Sequence, residues 1–144
     1  MTITRYIVIL LVITFLSGCA TQIDPSLEKQ RQLQIQRMQT RVFDVNNSFD
    51  TSNSQEITRG VVAAFQDLNF LINNLDVAKG VVEAKKFGDY PIEMTVTVQP
   101  VSDDRISVNG IALYNKKRIE EPFLYEQFFS SLQKFLPIVS NVGN

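Results

Sequence analysis

The one cysteine of the chain, Cys19, lies in the stretch FLSGCATQ, directly behind the most apolar segment of the sequence. A thiol can act as a nucleophile, fill a core as a small side chain, or be the attachment point of a covalent modification. The preceding residues separate these roles. Leu16 and two small residues, Ser17 and Gly18, follow a long apolar run over residues 6–15. This arrangement predicts a processing site at which Cys19 is the modified residue.

The segment before Cys19 has the features of a signal peptide. One positive charge, Arg5, precedes the apolar run, which has the length of a signal-peptide core. A span across a bilayer would need about 20 apolar residues. The motif Leu16–Cys19 resembles the bacterial lipobox, which implies removal of residues 1–18 and a lipid on the cysteine. The alternatives are an ordinary signal peptide that ends near a cysteine by chance, or an uncleaved anchor helix.

The residue after the cysteine bears on the location of the mature protein. Ala20 stands where an aspartate favours retention at the inner membrane in the enteric lipoproteins that this motif resembles. Such lipoproteins carry three acyl chains, and two or more lipid signals make attachment stable. We therefore expect acylated Cys19 to anchor the protein in the lipid of the outer membrane, at its periplasmic face, with the inner membrane as the less favoured location.

The composition excludes several kinds of catalysis. The chain has no histidine and no tryptophan, and acylation of Cys19 leaves no free thiol. Histidine-activated nucleophiles, zinc sites of imidazole and thiolate, and histidine proton relays are therefore excluded. The acidic pairs Asp103–Asp104 and Glu120–Glu121 are better explained as a turn and as a helix start than as catalytic carboxylates. We expect no enzymatic activity, no catalytic residue, no metal and no cofactor besides the covalent lipid.

The charge balance bears on possible partners. The chain has 14 basic and 15 acidic residues. One of the basic residues, Arg5, is lost when residues 1–18 are removed, so the mature chain is slightly more acidic. A nucleic-acid-binding domain is usually strongly basic. We therefore expect no nucleic-acid partner for the mature chain, which is long enough for one domain.

A polar, glutamine-rich segment over residues 19–39 precedes the predicted domain of residues 40–138, and residues 139–144 form a short tail. Asp24 before Pro25 suits a helix N-cap followed by proline at the first helical position. The segment is predicted to be a tether. It is either a helical stalk or partner-binding helix, or a flexible spacer.

Apolar spacing predicts a strand and then a helix at the start of the domain. Residues 41–44 have the β-branched and aromatic character of a short strand. A helix follows, with Asn53 and Glu56 in the spacing of a capping box. Its apolar stripe consists of Ile57, Val61, Ala64, Phe65 and Leu68. Asn69 is predicted to end the helix, because asparagine tolerates the left-handed conformation.

Four strands are predicted next. Residues 70–73 and 81–86 are separated by a loop that ends at Gly80, which indicates a hairpin. Residues 92–99 alternate apolar and polar side chains, as expected for a sheet with one solvated face. Residues 105–114 form the last of the four strands.

In that last strand the apolar pattern changes at Gly110. Before Gly110 the apolar side chains are Ile106 and Val108, and after it they are Ile111 and Leu113. A change of phase at a glycine is typical of a β-bulge, so a bulge is predicted at Gly110.

A second helix closes the domain. Glu121 is predicted to cap it and Pro122 to start it. Its apolar stripe consists of Tyr125, Phe128, Leu132 and Phe135. The order strand, helix, four strands, helix predicts an α+β two-layer sandwich with two helices on one face of a mostly antiparallel sheet.

Three stretches of the domain form a recognisable set: QTRVFD at 39–44, FQDLNF at 65–70, and EPFLYEQFF followed by LQKFL within 121–136. Together they resemble a group of small proteobacterial lipoproteins, mostly of unassigned function, with a QTR-F-D start, an LQDLGF helix end and a DP-x-x-Y-x-x-FF-x-x-L terminal helix. Asn69 replaces the group's glycine and Glu121 its aspartate. The resemblance implies the fold and an envelope location, and transfers no catalytic residue. The shape is also similar to the helix-grip domains of a lipoprotein of the barrel-assembly machinery, as a likeness of fold only.

Two basic clusters are candidates for a docking surface. Lys116, Lys117 and Arg118 lie between the last strand and the last helix, and Lys85 and Lys86 end an earlier strand. Placed together at one edge of the sheet, they would form a patch that attracts an acidic protein partner. The alternative is that they are solvated loop charges.

The anchor, the tether and the composition predict a non-enzymatic accessory or scaffold subunit of a cell-envelope complex, of the secretion or outer-membrane assembly type. One alternative is a module that binds a small ligand or lipid in a groove between the terminal helix and the sheet. Solid packing between Phe128, Leu132 and the strand at 92–98 would disfavour that alternative. Another is an immunity or exclusion lipoprotein of a mobile element.

Replacement of the modified cysteine tests the anchor. Cys19→Ala removes the thiol that accepts the lipid, so we expect loss of acylation and of processing, seen as an unlipidated precursor or a released soluble form. Metabolic labelling with a fatty-acid probe measures this directly. Equal labelling of the alanine variant and the wild type would contradict the lipobox interpretation.

Overall fold

A computed structural model describes residues 24–44 and 51–136. The described helices and strands, in chain order, are α1 (Pro25–Gln39), β1 (Thr40–Asp44), α2 (Thr51–Asp67), β2 (Leu71–Asp76), β3 (Val81–Lys86), β4 (Ile92–Ser102), β5 (Arg105–Tyr114), β6 (Lys117–Arg118) and α3 (Pro122–Phe135). The lipobox motif with Cys19 and the tail at 139–144 lie outside the described residues. Within the described ranges, no helix is long and apolar enough to cross a membrane.

The chain divides into two compact units, Met1–Arg31 and Gln32–Asn144. The described part of the first unit is the start of α1. There the Asp24 carboxylate accepts hydrogen bonds from the backbone N–H of Ser26 at 2.9 Å and from its hydroxyl at 2.8 Å. Asp24 therefore caps α1 and Pro25 begins it, as predicted.

The part of the polar segment that the structure describes is helical over Pro25–Gln39. In the second unit, the last turns of α1 bury Ile35 and Gln39, and Met38 packs against the main core. Of the two forms considered for the tether, the described residues show the helix. Because the second unit begins at Gln32, the end of this helix is part of the compact unit that holds the sheet.

The six strands form one antiparallel sheet. Its order is β1-β5-β4-β3-β2, and β6 pairs with the end of β5. β1 and β6 lie beside the same edge of β5, because β1 pairs with residues 105–109 and β6 with Leu113 and Tyr114. The predicted α+β two-layer sandwich is confirmed, with α2 and α3 on one face of the sheet.

The core lies between this face and the two helices. α2 packs against α3 and against β2, β3 and β4. Along β4 the inward side chains are Met94, Val96 and Val98, as the alternation predicted. The Phe65 ring joins the two helices to the loop before β2, because its centroid lies 5.3 Å from those of Phe70 and Phe128.

The two helices are also joined by a polar contact at the end of α2. The Asp67 carboxylate accepts hydrogen bonds from the Ser131 hydroxyl at 2.7 Å and from the Lys134 ammonium at 3.0 Å. The Ser131 bond and the Lys134 contact lower the pKa of Asp67. A lowered pKa means that the contact stabilises the fold at neutral pH and is lost as the pH falls through that pKa.

The predicted bulge at Gly110 is wrong. Gly110 pairs with Val96 in regular register, and the inward phase of β5 continues through it to buried Ala112. A Cβ at Gly110 would lie 2.8 Å from the Met94 methyl carbon, so this inward position holds a glycine because Met94 fills the space. Ile111 is accordingly half-buried on the opposite face.

The register shifts that do occur lie elsewhere in the sheet. One falls in β2 between Ile72 and Asn74, and the other in β4 between Pro100 and Ser102. The hairpin of β2 and β3 is confirmed, although β2 runs to Asp76 and is longer than predicted. Gly80 ends its loop at φ 65°, where a Cβ would collide with the Val98 carbonyl oxygen.

The predicted helix ends are right in two cases and wrong in one. Asn69 adopts φ 61°, and the backbone N–H of Phe70 bonds to the carbonyl of Phe65 at 2.8 Å, which closes α2 as expected. Glu121 is the N-cap residue of α3, but its side chain makes no capping hydrogen bond. The capping box at Asn53 is wrong, since α2 already includes Thr51.

Truncation of the central aromatic side chain of α3 tests the core. Phe128 is fully buried and its ring contacts those of Phe65 and Phe129. Phe128→Ala should lower the free energy of unfolding by about 3–5 kcal/mol, because the cavity left by the ring cannot close fully. Thermal or denaturant unfolding measures the loss. An unchanged unfolding midpoint would show that α3 does not pack as described.

Candidate interaction surfaces

The hydroxyl of Tyr125 joins four parts of the second unit. It accepts hydrogen bonds from the Ala112 backbone N–H at 3.2 Å and from the Gln39 amide nitrogen at 3.1 Å, and it donates to the Ile119 carbonyl at 2.7 Å. One donated and two accepted bonds use the full capacity of a phenolic hydroxyl. Tyr125 is 1% exposed, and its bonds with Ala112 and Gln39 are buried, whereas the bond with Ile119 is partly buried.

The Tyr125 hydroxyl bonds to β5 at a point where this strand has no neighbour on one edge. β1 pairs with β5 up to Asn109 and β6 begins to pair at Leu113, so the residues between have no strand beside them at that edge. Ala112 lies in the gap. Its N–H donates to Tyr125 and its carbonyl accepts from the Ile119 N–H at 2.9 Å, so both backbone groups are satisfied without a neighbouring strand.

The three stretches that resemble the lipoprotein group meet in this part of the fold. Gln39 from the first bonds to Tyr125 from the last, and the Arg41 guanidinium lies 5.5 Å from the centroid of the Phe129 ring. Phe65 of the middle stretch contacts Phe128. The stretches therefore have a packing role in the second unit.

A cleft lies where α1, β1 and α3 meet, which we call the arginine cleft. It has a volume of about 170 Å³ and is lined by Arg37, Met38, Arg41, Pro122, Tyr125 and Glu126. Both arginines are exposed, and the apolar surface of the cleft comes from its other members. No local sequence pattern indicates this site, because its two halves are far apart in the chain and are joined by contacts such as those of Gln39 with Tyr125 and of Arg41 with Phe129.

The structure places the two predicted basic clusters at the same end of the sheet. Lys86 pairs with Ile92, Ile92 with Tyr114, and Tyr114 with Lys117, so the two lysines share one row across four strands. Three strand spacings separate them, about 14 Å. Lys117 and Arg118 belong to the edge strand β6 and Lys85 and Lys86 to the inner strand β3, so the clusters share one end of the strands and not one edge of the sheet.

The individual cations have different surroundings. Lys85 forms an ion pair with Glu93 at 3.0 Å, and the Lys86 ammonium lies 5.6 Å from the centroid of the Phe70 ring. Lys116 is exposed in the turn before β6 with φ 62°, and Lys117 and Arg118 are exposed in β6 itself.

Exposed aromatic rings lie at the same strand ends. Phe87 is 70% exposed and Tyr90 is 73% exposed, and both belong to the loop between β3 and β4. The Tyr90 ring lies 5.9 Å from that of Tyr114, which ties this loop to the end of β5. The basic–aromatic end is the name used below for this surface, which consists of Lys85, Lys86, Phe87, Tyr90, Tyr114, Lys116, Lys117 and Arg118.

The space between α3 and the sheet is filled by side chains. Phe128 and Leu132 are fully buried, as is Val96 opposite them on β4. A second cleft, of about 240 Å³, lies on the other side of the sheet and includes Glu83, Lys85 and Glu93 in its lining. Neither cleft is lined by Phe128 or Leu132.

Removal of one oxygen atom tests the role of Tyr125. Tyr125→Phe keeps the ring but leaves the Ala112 N–H, the Gln39 amide and the Ile119 carbonyl without this partner. An unsatisfied buried polar group costs about 1–3 kcal/mol, so we expect a fall in unfolding free energy of at least that size. Tyr90→Phe, at an exposed ring, is the matched control. Equal stability of the two variants would contradict the proposed role.

No protein-family model matches the chain, and no curated protein matches it.

Proposed function

We propose that the chain is a non-enzymatic lipoprotein that acts as an accessory or scaffold subunit of a cell-envelope complex, and that it holds an acidic segment of a protein partner in the arginine cleft. Acylated Cys19 is the proposed anchor, at the periplasmic face of the outer membrane. The observation that carries the docking site is the pairing of two exposed arginines, Arg37 and Arg41, with an apolar cleft.

The chemistry of the cleft fits a protein segment with carboxylates. A guanidinium binds a carboxylate through two parallel N–H bonds, and arginine is among the residues that contribute most binding energy at interfaces. Met38 and Pro122 supply apolar surface between the two arginines and α3. Glu126 is the one carboxylate in the lining, and it favours a partner that also carries a donor or a cation at that position.

Small-ligand binding is the less favoured function. Pockets for small molecules usually have volumes of about 300–1,000 Å³. The arginine cleft and the cleft on the other side of the sheet measure about 170 and 240 Å³. A shallow cleft of this size suits one or two side chains of a larger partner. Solid packing around Phe128 and Leu132 also disfavours the groove considered between α3 and the sheet.

Charge reversal in the arginine cleft tests the proposal. Arg37→Glu should reduce recovery of the partner when the tagged full-length protein is purified from detergent-solubilised membranes. A central arginine contributes about 2 kcal/mol or more, which corresponds to more than a tenfold loss in affinity. Arg59→Glu is the matched control, because Arg59 is an exposed arginine on α2.

Two results would count against the proposal. Recovery of the wild type as a monomer with no stoichiometric partner would contradict the accessory role. Equal recovery of the partner with Arg37→Glu and Arg59→Glu would move the docking site away from the cleft. An unfolding curve for each variant shows that the comparison is made between folded proteins.

A further inference from the structure

Two neighbouring loops give the basic–aromatic end its shape. One loop joins β3 to β4 and presents Phe87 and Tyr90, and the other is the turn of Asn115 and Lys116 between β5 and β6. The contact between Tyr90 and Tyr114 holds the loops side by side. More than two thirds of the Phe87 and Tyr90 surfaces face solvent, so the two rings of this loop are available for contact with another surface.

Positive charge surrounds these rings. The five cations of the basic–aromatic end outnumber the two carboxylates among them, Asp89 in the loop and Glu93, which pairs with Lys85. Glu120 and Glu121 follow β6, where the chain turns towards α3. Lysines and exposed aromatic rings together are typical of protein surfaces that lie against anionic lipid headgroups, where the rings enter the interface and the ammonium groups meet phosphates.

The last residue of α1 lies near this same end of the sheet. Gln39, the last residue of α1, shares the Tyr125 hydroxyl with Ala112, and Ala112 is two residues from Tyr114 of the basic–aromatic end. The end of α1 therefore lies close to the surface that carries the exposed rings, in a chain whose proposed lipid anchor is Cys19. Tethering raises the effective concentration of the bilayer at the domain to the millimolar range, so even a weak surface contact would be populated.

We propose that the basic–aromatic end is a membrane-contact surface that binds anionic lipid headgroups and inserts the rings of Phe87 and Tyr90 into the interface. The proposal deepens the proposed function, because it rests on a membrane anchor and orients the domain on that membrane. It also reassigns the cluster of Lys85, Lys86, Lys116, Lys117 and Arg118, which was considered above as a protein-docking patch.

A unique fluorophore tests the contact in the full-length lipidated protein. The chain has no tryptophan, so Phe87→Trp places a single indole in the loop and keeps an aromatic ring. The variant is reconstituted in vesicles of phosphatidylethanolamine with phosphatidylglycerol, in which the acyl chains carry bromine as a quencher. Val101→Trp is the matched control, because Val101 is 58% exposed and lies at the opposite end of β4.

We expect the Phe87→Trp emission to be quenched and shifted to shorter wavelength, and the Val101→Trp emission to be unchanged. Replacing phosphatidylglycerol with phosphatidylcholine should reverse the effect, as should salt of about 1 M, where screening acts within about 3 Å. Adding Lys117→Glu to Phe87→Trp should weaken the contact by about fivefold or more, since each cation near an anionic surface contributes about that factor.

Other results of these experiments would contradict the membrane contact. Equal quenching of the two tryptophan variants, or none in either, would overturn the proposal. If Phe87→Trp is not quenched and Lys117→Glu instead reduces recovery of a protein partner, the surface docks a protein and not a membrane. Flotation of the Val101→Trp protein with the vesicles measures the anchor separately, so a failure of lipidation is distinguished from a failure of the loop contact.

Discussion

The second unit depends on one hydroxyl group. The oxygen of Tyr125 bonds to Gln39 at the end of α1, to Ala112 in β5 and to Ile119 before α3. The Gln39 and Ala112 groups are buried and would be unpaired without this hydroxyl, and an unpaired buried group costs more than a hydrogen bond gains. A single side chain thus fixes the relative position of the helix that enters the domain, the gap in the sheet and the helix that closes it.

Both proposed surfaces follow from that arrangement. The arginine cleft exists because α1 and β1 meet the first turn of α3, where Tyr125 is bonded to Gln39. The basic–aromatic end exists because β6 returns beside β5 after the gap and brings Lys117 into the row of Lys86. The sheet face beneath the helices is closed by buried aromatic side chains. Both proposed binding surfaces lie on the outside of the domain.

The helices and strands could be predicted from the sequence, because they follow local patterns. The contacts between them could not, because they join residues that are distant in the chain. Alternation along β4 and the helical stripe of α2 are local patterns, so they identified the layers correctly. The Gly110 prediction failed because the size of a side chain on the next strand, Met94, determines that position. Likewise, the arginine cleft depends on a hydrogen bond between residues 39 and 125, and no local pattern reports such a contact.

The two proposed surfaces differ in the kind of cation that they present, which is arginine in the cleft and mainly lysine at the basic–aromatic end. A guanidinium is a planar fork that matches one carboxylate, whereas an ammonium is a compact charge that can exchange among many phosphate oxygens. The cleft contains two arginines beside an apolar lining, and the basic–aromatic end contains four lysines and one arginine around exposed rings. A carboxylate partner in the cleft needs defined geometry, while a fluid headgroup layer does not. The two proposed ligands, a protein partner and a membrane, would therefore not compete for the same cations.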